Sequence, residues 1–280
     1  MRIQFVFLAI LTVFLVPGAA TDIETLHLAA AAGDTDRLKR LINSEAAINS
    51  LDASGRTALH QAAANGHFQA ARLLLAAGAN AKLKDKDGAT PLSLAQEAGY
   101  PRMSELLGAA EKPMPGGDES MPWTLHYASL RGETDLVRTL LEIKTDPNAL
   151  SSQGNPPLHN ASLNGHLEIA EILIENGAKV NQRNTAGATA LHEAALGGHT
   201  ALVELLLARG AEIDARDRES GATALFLASS WGRKSVVELL LRRGASTAIR
   251  NAKGVLPVKA AEENGHAEIV ELLRHARAAR

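Results

Sequence analysis

The sequence predicts an all-α solenoid of about eight repeats, each with two short helices and an extended finger. The first observation behind this fold class is a period of 33 residues, at which similar segments recur along nearly the whole chain. The second is an apolar run, rich in leucine, that is followed by Gly-Ala in several repeats, a pattern typical of a helix end. A fixed period of this length indicates units that bury their apolar faces only against their neighbours.

The N-terminus has the layout of a secretory signal peptide. Met1 and Arg2 precede an apolar run over residues 3–16, and small residues follow as far as Ala20. We expect residues 1–20 to be removed by cleavage near Ala20. An uncleaved anchor is the alternative, but the run is shorter than the roughly 20 residues of a spanning helix. We therefore expect an exported protein, periplasmic or secreted, with no membrane association after cleavage; the Ala- and Arg-rich composition favours a bacterial periplasm.

Residues 21–280 are predicted to form the repeat array. The predicted repeats span residues 22–54, 55–87, 88–120, 121–153, 154–186, 187–220, 221–253 and 254–280. The first repeat lacks the Gly-x-Thr opening of the interior repeats, and the last carries polar substitutions. Both departures suit end repeats, which expose one face to water.

Residues 112–121 interrupt the repeat pattern. Two prolines and the adjacent Gly116 and Gly117 predict an irregular finger in this segment. Because the 33-residue register continues across it, we expect one continuous stack of repeats. A hinge between two sub-stacks is the alternative.

Four segments carry the resemblance to a known family: Gly55–His60, Gly88–Leu92, Gly187–His192 and Gly221–Leu225. With their period, they resemble the ankyrin repeat over essentially all of the chain after residue 21. The resemblance implies helix-turn-helix repeats with β-hairpin fingers. It also implies a concave binding face formed by finger tips and inner helices.

Most of the ten histidines fall into two repeat positions. The first position holds His27, His60, His126, His159 and His192, and the second holds His67, His166, His199 and His266. The resemblance implies that the first orients the fingers through hydrogen bonds and that the second shapes the turn. The chain has no cysteine and no zinc-protease, nucleotide-loop or nucleophile motif. We therefore expect no catalytic residue, no metal site and no cofactor.

Composition also argues against nucleic acid as a partner, since the formal net charge is −2 and aromatic residues make up 3% of the chain.

Three repeat positions on the concave face are predicted not to be needed for packing in the core. Apolar side chains there stand beside Tyr, Trp and Arg, as in interface hot spots. The predicted partner-binding residues are Tyr127, Leu130, Arg131, Leu163, Glu193, Leu196 and Trp231.

The alternative for the three leucines of this set is that they only pack between inner helices. For the whole chain, we expect a monomeric, non-catalytic scaffold that binds a protein partner of unknown identity. A second interpretation, by analogy with periplasmic ankyrin-like proteins, is a stress-protection or folding accessory that shields an exported enzyme. A third is an enzyme with an unrecognised site.

Overall fold

The computed structural model of the chain describes residues 19–43, 47–111 and 124–278. Within these ranges the backbone forms sixteen α-helices and no β-strand, which confirms the all-α class. The helices are Ala19–Ala32 (α1), Thr35–Asn43 (α2), Ala58–Ala64 (α3), Phe68–Ala76 (α4), Pro91–Glu97 (α5), Pro101–Glu111 (α6), Leu125–Arg131 (α7), Thr134–Glu142 (α8), Pro157–Asn164 (α9), Leu167–Glu175 (α10), Ala190–Gly197 (α11), Thr200–Ala208 (α12), Ala224–Ser230 (α13), Lys234–Arg242 (α14), Pro257–Glu263 (α15) and Ala267–Ala278 (α16). The predicted signal peptide, except Ala19 and Ala20, and the predicted irregular finger at 112–121 lie outside the described residues.

Each repeat contributes one pair of helices, and the pairs stack in two layers. The odd-numbered helices form an inner layer and the even-numbered helices an outer layer, and each helix packs on its counterpart in the next repeat except between repeats three and four. Small residues such as Ala62 and Ala195 are fully buried, so the inner helices approach closely. Leucines such as Leu74 and Leu206 are also fully buried. Each repeat therefore buries its apolar face only because a neighbour covers it.

The first histidine position links the inner helices to the fingers. Thr57 caps helix α3, and its backbone N–H donates to His60 Nδ1 over 3.1 Å. His60 Nε2 in turn donates to the Ala89 carbonyl in the next finger over 3.2 Å. Equivalent bonds to finger carbonyls are made by Nε2 of His27, His126, His159 and His192. These are the finger-orienting hydrogen bonds that the resemblance implies.

The fingers themselves are tight turns rather than the expected β-hairpins. In one of them, Asp85 N donates to Ala89 O over 2.9 Å, and Asp85 Oδ1 accepts from the Ala89 N–H over 2.9 Å. Adjacent fingers are joined by one or two backbone bonds, such as Lys86 N to Ser54 O at 3.1 Å. One or two bonds per pair of fingers are too few for a strand ladder, so the described fingers remain turns.

The hydrophobic core is divided into two clusters. One contains buried residues between Leu26 and Leu107, from helices α1 to α6, and we call this part the first block. The other contains buried residues between Leu125 and Leu273, from α7 to α16, and we call it the second block. Helices α5 and α7 do not pack together as the other successive inner helices do. The described residues thus form two sub-stacks, which differs from the single continuous stack that we expected.

The second block instead contacts the outer layer of the first. Helix α8 lies against α4, and Arg72 Nη2 pairs with Glu133 Oε2 at 2.6 Å. Lys39 Nζ lies 2.8 Å from Glu142 Oε2, and Asn43 Nδ2 donates to the Glu142 carbonyl over 2.9 Å. Repeat four is therefore held to repeats one and two by polar contacts between outer helices and by Ala76 and Ile143, each of which packs against the core of the other block.

Candidate partner-binding surface

The structure brings the seven predicted partner-binding residues onto successive inner helices of the second block. Tyr127, Leu130 and Arg131 belong to α7, and Leu163 to α9. Glu193 and Leu196 belong to α11, and Trp231 is the C-cap of α13. Because α7, α9, α11 and α13 pack side by side in that order, residues at equivalent repeat positions form rows across them. We call this set of residues the candidate surface.

The central row consists of Leu130, Leu163 and Leu196. Leu163 is 39% exposed, and the other two are partly exposed. The core of the second block is built from other residues of the same helices, such as Leu158 and Ala194. The row is therefore a partly exposed apolar surface that lies outside the core cluster of the second block.

The backbone beneath this row is held by the second histidine position. His166 Nε2 donates to the Leu130 carbonyl over 3.2 Å, and His199 Nε2 donates to the Leu163 carbonyl over 2.9 Å. Arg233 replaces the histidine in the next repeat, and its Nε donates to the Leu196 carbonyl over 2.9 Å. Each bond joins a turn to the end of the preceding inner helix, so the leucines project from a fixed backbone.

A glycine in each turn makes room for these rings. Gly165 has φ +82°, and a Cβ built on it would lie 2.7 Å from His199 Cε1. The left-handed conformation and the close approach of the ring both require glycine at this position. Glycine at this position therefore permits both the turn and the hydrogen bond from His199 to the Leu163 carbonyl.

Two large side chains and one cation flank the leucine row. Trp231 is 59% exposed, and Tyr127 is half-buried. Arg131 is exposed and makes no ion pair or side-chain hydrogen bond within the described ranges. Aromatic residues and arginine supply large contact area and directed donors, which is the composition found at the centres of protein interfaces.

Glu193 is the one carboxylic acid of the candidate surface, and its side chain is partly buried. Burial raises the pKa of Glu193 to about 7. The side chain has neither a hydrogen bond nor an ion pair with any described residue. A carboxyl group in this state is poorly solvated and uncompensated.

The row that contains Tyr127 and Glu193 is less free of packing than the sequence suggested. Asn160, at the same position in α9, is only 5% exposed, and its Nδ2 donates to the His126 carbonyl over 3.4 Å. Asn160 thus joins α7 to α9 and is not available to a partner. Repeat position alone did not reveal this, because the position is exposed in some repeats and buried in others.

The sequence reasoning also missed three arginines on the fingers. Arg183 Nη1 donates to the carbonyls of Gly187 and Arg216, each over 2.7 Å. Arg216 Nη2 donates to the Arg250 carbonyl over 3.1 Å, so a similar hydrogen bond reaches the next finger. Their spacing of one repeat was a signal that could have identified them. They stiffen the fingers beside the inner helices.

Over residues 19–43, 47–111 and 124–278, no group of three or more His, Asp or Glu side chains could hold a metal ion. In the same ranges no helix has the length and apolar character needed to cross a membrane. A cleft of about 620 Å³ lies between outer helices, lined by residues such as Gln69, Arg72 and Glu133. It belongs to the contact between the two blocks and not to the candidate surface.

Comparison with family models finds ankyrin repeats. A model described as "Ankyrin repeats (3 copies)" matches residues 26–114 and 125–217, and one described as "Ankyrin repeats (many copies)" matches residues 198–241. Together the matches cover more than half of the chain. The two matches of the first model part close to where the two blocks part. The search of curated proteins gives no match.

Proposed function

The chain belongs to the ankyrin-repeat family, whose repeats are generally protein–protein interaction modules, and we propose that it is a non-catalytic scaffold that binds a protein on the candidate surface. The observation that carries the proposal is the leucine row, with Leu163 exposed at its centre. A partly exposed apolar row between Tyr127 and Trp231 is costly to leave in water and favourable to cover.

The fixed backbone beneath the row supports the same function. Because turn side chains hold the carbonyls of Leu130, Leu163 and Leu196, little main-chain freedom remains to be lost on binding. Preorganisation of this kind raises affinity by reducing the entropy cost of association.

The test is a variant that combines Tyr127→Ala, Arg131→Ala and Trp231→Ala. Affinity capture from the exported fraction, with mass spectrometry, identifies the partner of the wild-type chain. Loss of even one hot spot of about 2 kcal/mol weakens binding about 30-fold, so we expect the triple variant to lose the partner. Its thermal midpoint should stay near that of the wild type, because Arg131 and Trp231 are exposed.

A control variant combines Leu51→Ala and Arg209→Ala, which remove an exposed leucine and an exposed arginine away from the candidate surface. It should retain the partner. Equal capture by the wild type and the triple variant would show that the surface is assigned to the wrong residues.

We also propose that the protein acts after export, in the periplasm or outside the cell. The support is the N-terminal sequence, in which Met1 and Arg2 precede an apolar run that ends in small residues before Thr21. Cell fractionation with N-terminal sequencing of the exported form tests this. A cytoplasmic protein that retains Met1 would contradict it.

A further inference from the structure

The contact between the two blocks depends on charged side chains more than the contacts between repeats within a block do. We call it the block contact, and its members are the pairs Arg72–Glu133 and Lys39–Glu142 together with Asn43, Ala76 and Ile143. Within the second block, ion pairs between outer helices, such as Arg138 with Glu168, lie over one continuous core. At the block contact, the fully buried residues of the two sides belong to separate clusters. Small polar contacts between folded units generally allow the units to move.

A cleft of about 620 Å³ separates parts of the block contact. Leu73 of the first block and Leu136 of the second both line this cleft, although each is buried in the core of its own block. Closely packed interiors have few voids larger than a water molecule, and side chains such as Gln69 and Asp135 make this lining polar. Water can therefore enter between the blocks, so separating them breaks few apolar contacts.

Glu133 occupies a turn position that has a different use in other repeats. In four repeats this position holds a histidine whose ring bonds to a carbonyl near the end of the preceding inner helix: His67, His166, His199 and His266. In the first repeat it holds Asp34, whose carboxylate caps its own helix by accepting from the Arg37 N–H over 2.9 Å. Glu133 is the N-cap of α8, but its side chain makes no hydrogen bond to that helix. Its carboxylate instead lies 2.6 Å from Arg72 in the other block.

The first block holds α8 at both ends through cations at one repeat position. Lys39 on α2 and Arg72 on α4 are equivalent residues, one repeat apart. Arg72 pairs with the N-cap Glu133, and Lys39 pairs over 2.8 Å with Glu142, the last residue of α8. In repeats five to eight the same position holds glutamate: Glu171, Glu204, Glu238 and Glu271. The two cations are therefore a particular feature of the outer helices that meet α8.

The burial of Arg72 makes its pair with Glu133 sensitive to the loss of either partner. The Arg72 side chain is only 7% exposed, and a desolvated guanidinium needs a carboxylate or water around it. When the blocks separate, water from the cleft can replace the carboxylate. The cost of separation is therefore the loss of two ion pairs, offset by hydration of their four charges.

We infer that the block contact opens and closes: its two ion pairs hold the blocks together at low ionic strength, and the blocks separate as folded units when these pairs are broken. Each block keeps its own core on separation, because the two core clusters are distinct. The inference does not depend on where a partner binds. Opening would nevertheless change the surroundings of the candidate surface, because Glu133 follows Arg131 of α7 by two residues.

The test measures the distance between two spin labels in the full chain by double electron–electron resonance. The chain has no cysteine of its own, so labels attach only to introduced ones. Ala53→Cys and Ser152→Cys place the labels at equivalent exposed positions on one finger of each block. We expect a narrow distance distribution at about 0.1 M salt and a broad one at about 1 M, since the screening length falls from about 10 Å to about 3 Å. Labels at Ser152→Cys and Ala252→Cys, both in the second block, should give a narrow distribution at both salt concentrations.

Reversal of charge tests the ion pairs directly. Glu133→Lys combined with Glu142→Lys should broaden the distribution between the blocks already at low salt, because each lysine then faces a cation. For each lost charge-assisted hydrogen bond, the ratio of open to closed molecules should rise about 10- to 100-fold. Adding Arg72→Glu and Lys39→Glu exchanges the charges of both pairs and should restore the narrow distribution.

Glu168→Lys is the matched control, because it reverses one charge of an ion pair between outer helices inside the second block. It should leave the distribution between the blocks unchanged. Because Arg72→Glu alters a buried side chain, the exchange of Lys39 with Glu142 is also measured alone against Glu142→Lys. Circular dichroism at each salt concentration establishes that the variants are folded.

Three results would overturn the inference. A narrow distribution under every condition, including the double charge reversal, means that the blocks are fixed to one another. A broad distribution for the wild type at low salt means that the ion pairs do not hold the blocks together. Folded charge-exchange variants that stay as broad as the reversed ones mean that other contacts determine the closed state.

Discussion

Leu206→Ala tests the division of the array into two blocks. Leu206 on α12 is fully buried in the core of the second block, and Leu74 on α4 is fully buried in the core of the first. The same substitution at either position removes the same atoms from a different core. If the cores are separate, each change should destabilise one block and leave the other near its wild-type stability.

The magnitude follows from the chemistry of the substitution. Leucine to alanine removes three carbons, each of which contributes about 0.8 kcal/mol when buried, or about 2.4 kcal/mol in total. The cavity left between the layers adds to this loss, so we expect about 2–5 kcal/mol of unfolding free energy. For a urea dependence of about 1–3 kcal/mol per molar, this lowers the midpoint by about 1 M or more.

The assay is urea unfolding followed by tryptophan fluorescence and by far-ultraviolet circular dichroism. Trp231 reports on the second block once Trp123, the other tryptophan, is replaced by phenylalanine. Leu206→Ala should shift the Trp231 transition, whereas Leu74→Ala should shift only the circular dichroism signal of the first block. A single transition that both variants shift equally would show that the repeats unfold as one stack, and the two-block reasoning would be wrong.

Two further predictions concern the second block. Gly165→Ala should lower the unfolding free energy of this block by about 1–2 kcal/mol, because alanine is strained at φ +82° and its Cβ would meet the His199 ring. Gly177→Ala is the control, because it has the same backbone strain with open space around the Cβ. Equal losses for the two variants in urea unfolding would mean that the contact with the ring contributes nothing. Glu193→Gln should stabilise the block by up to about 3 kcal/mol near pH 8, since the folded pKa of about 7 lies above the ordinary value and ionisation opposes folding. The gain should shrink as the pH falls through 7 towards 4.5, and a gain independent of pH would contradict the buried-carboxyl account.

The repeat register predicted the local structure well, because each feature depends on residues close in sequence or one repeat apart. Thr57 and His60 are three residues apart, and together they cap α3 and hold the next finger. Repeat five departs from this pattern because Pro156 replaces the threonine. Without that hydroxyl and N–H, His159 Nδ1 has no hydrogen bond partner among the described residues.

The end of the first block could have been predicted from one inner-helix position, although the 33-residue register continues past it. One inner-helix position is fully buried in repeats that have a following neighbour, where it holds small residues such as Ala63, Ser129 and Ala195. In repeats three and eight the same position holds Gln96 and Glu262, and both are exposed. A long polar side chain at this position cannot be covered by another inner helix, so each of these repeats ends a stack.

The sequence by itself determined the fold class, the helix pairs and the structural use of the histidines, because a period of 33 residues repeats one local solution along the chain. Tertiary structure alone decided which surface positions are covered. Asn160 and Glu193 occupy the same repeat position as the half-buried Tyr127, yet one is bonded to the His126 carbonyl and the other is left with an unpaired carboxyl group. Burial depends on the sizes and charges of side chains on two neighbouring helices at once, and a repeat position describes only one of them.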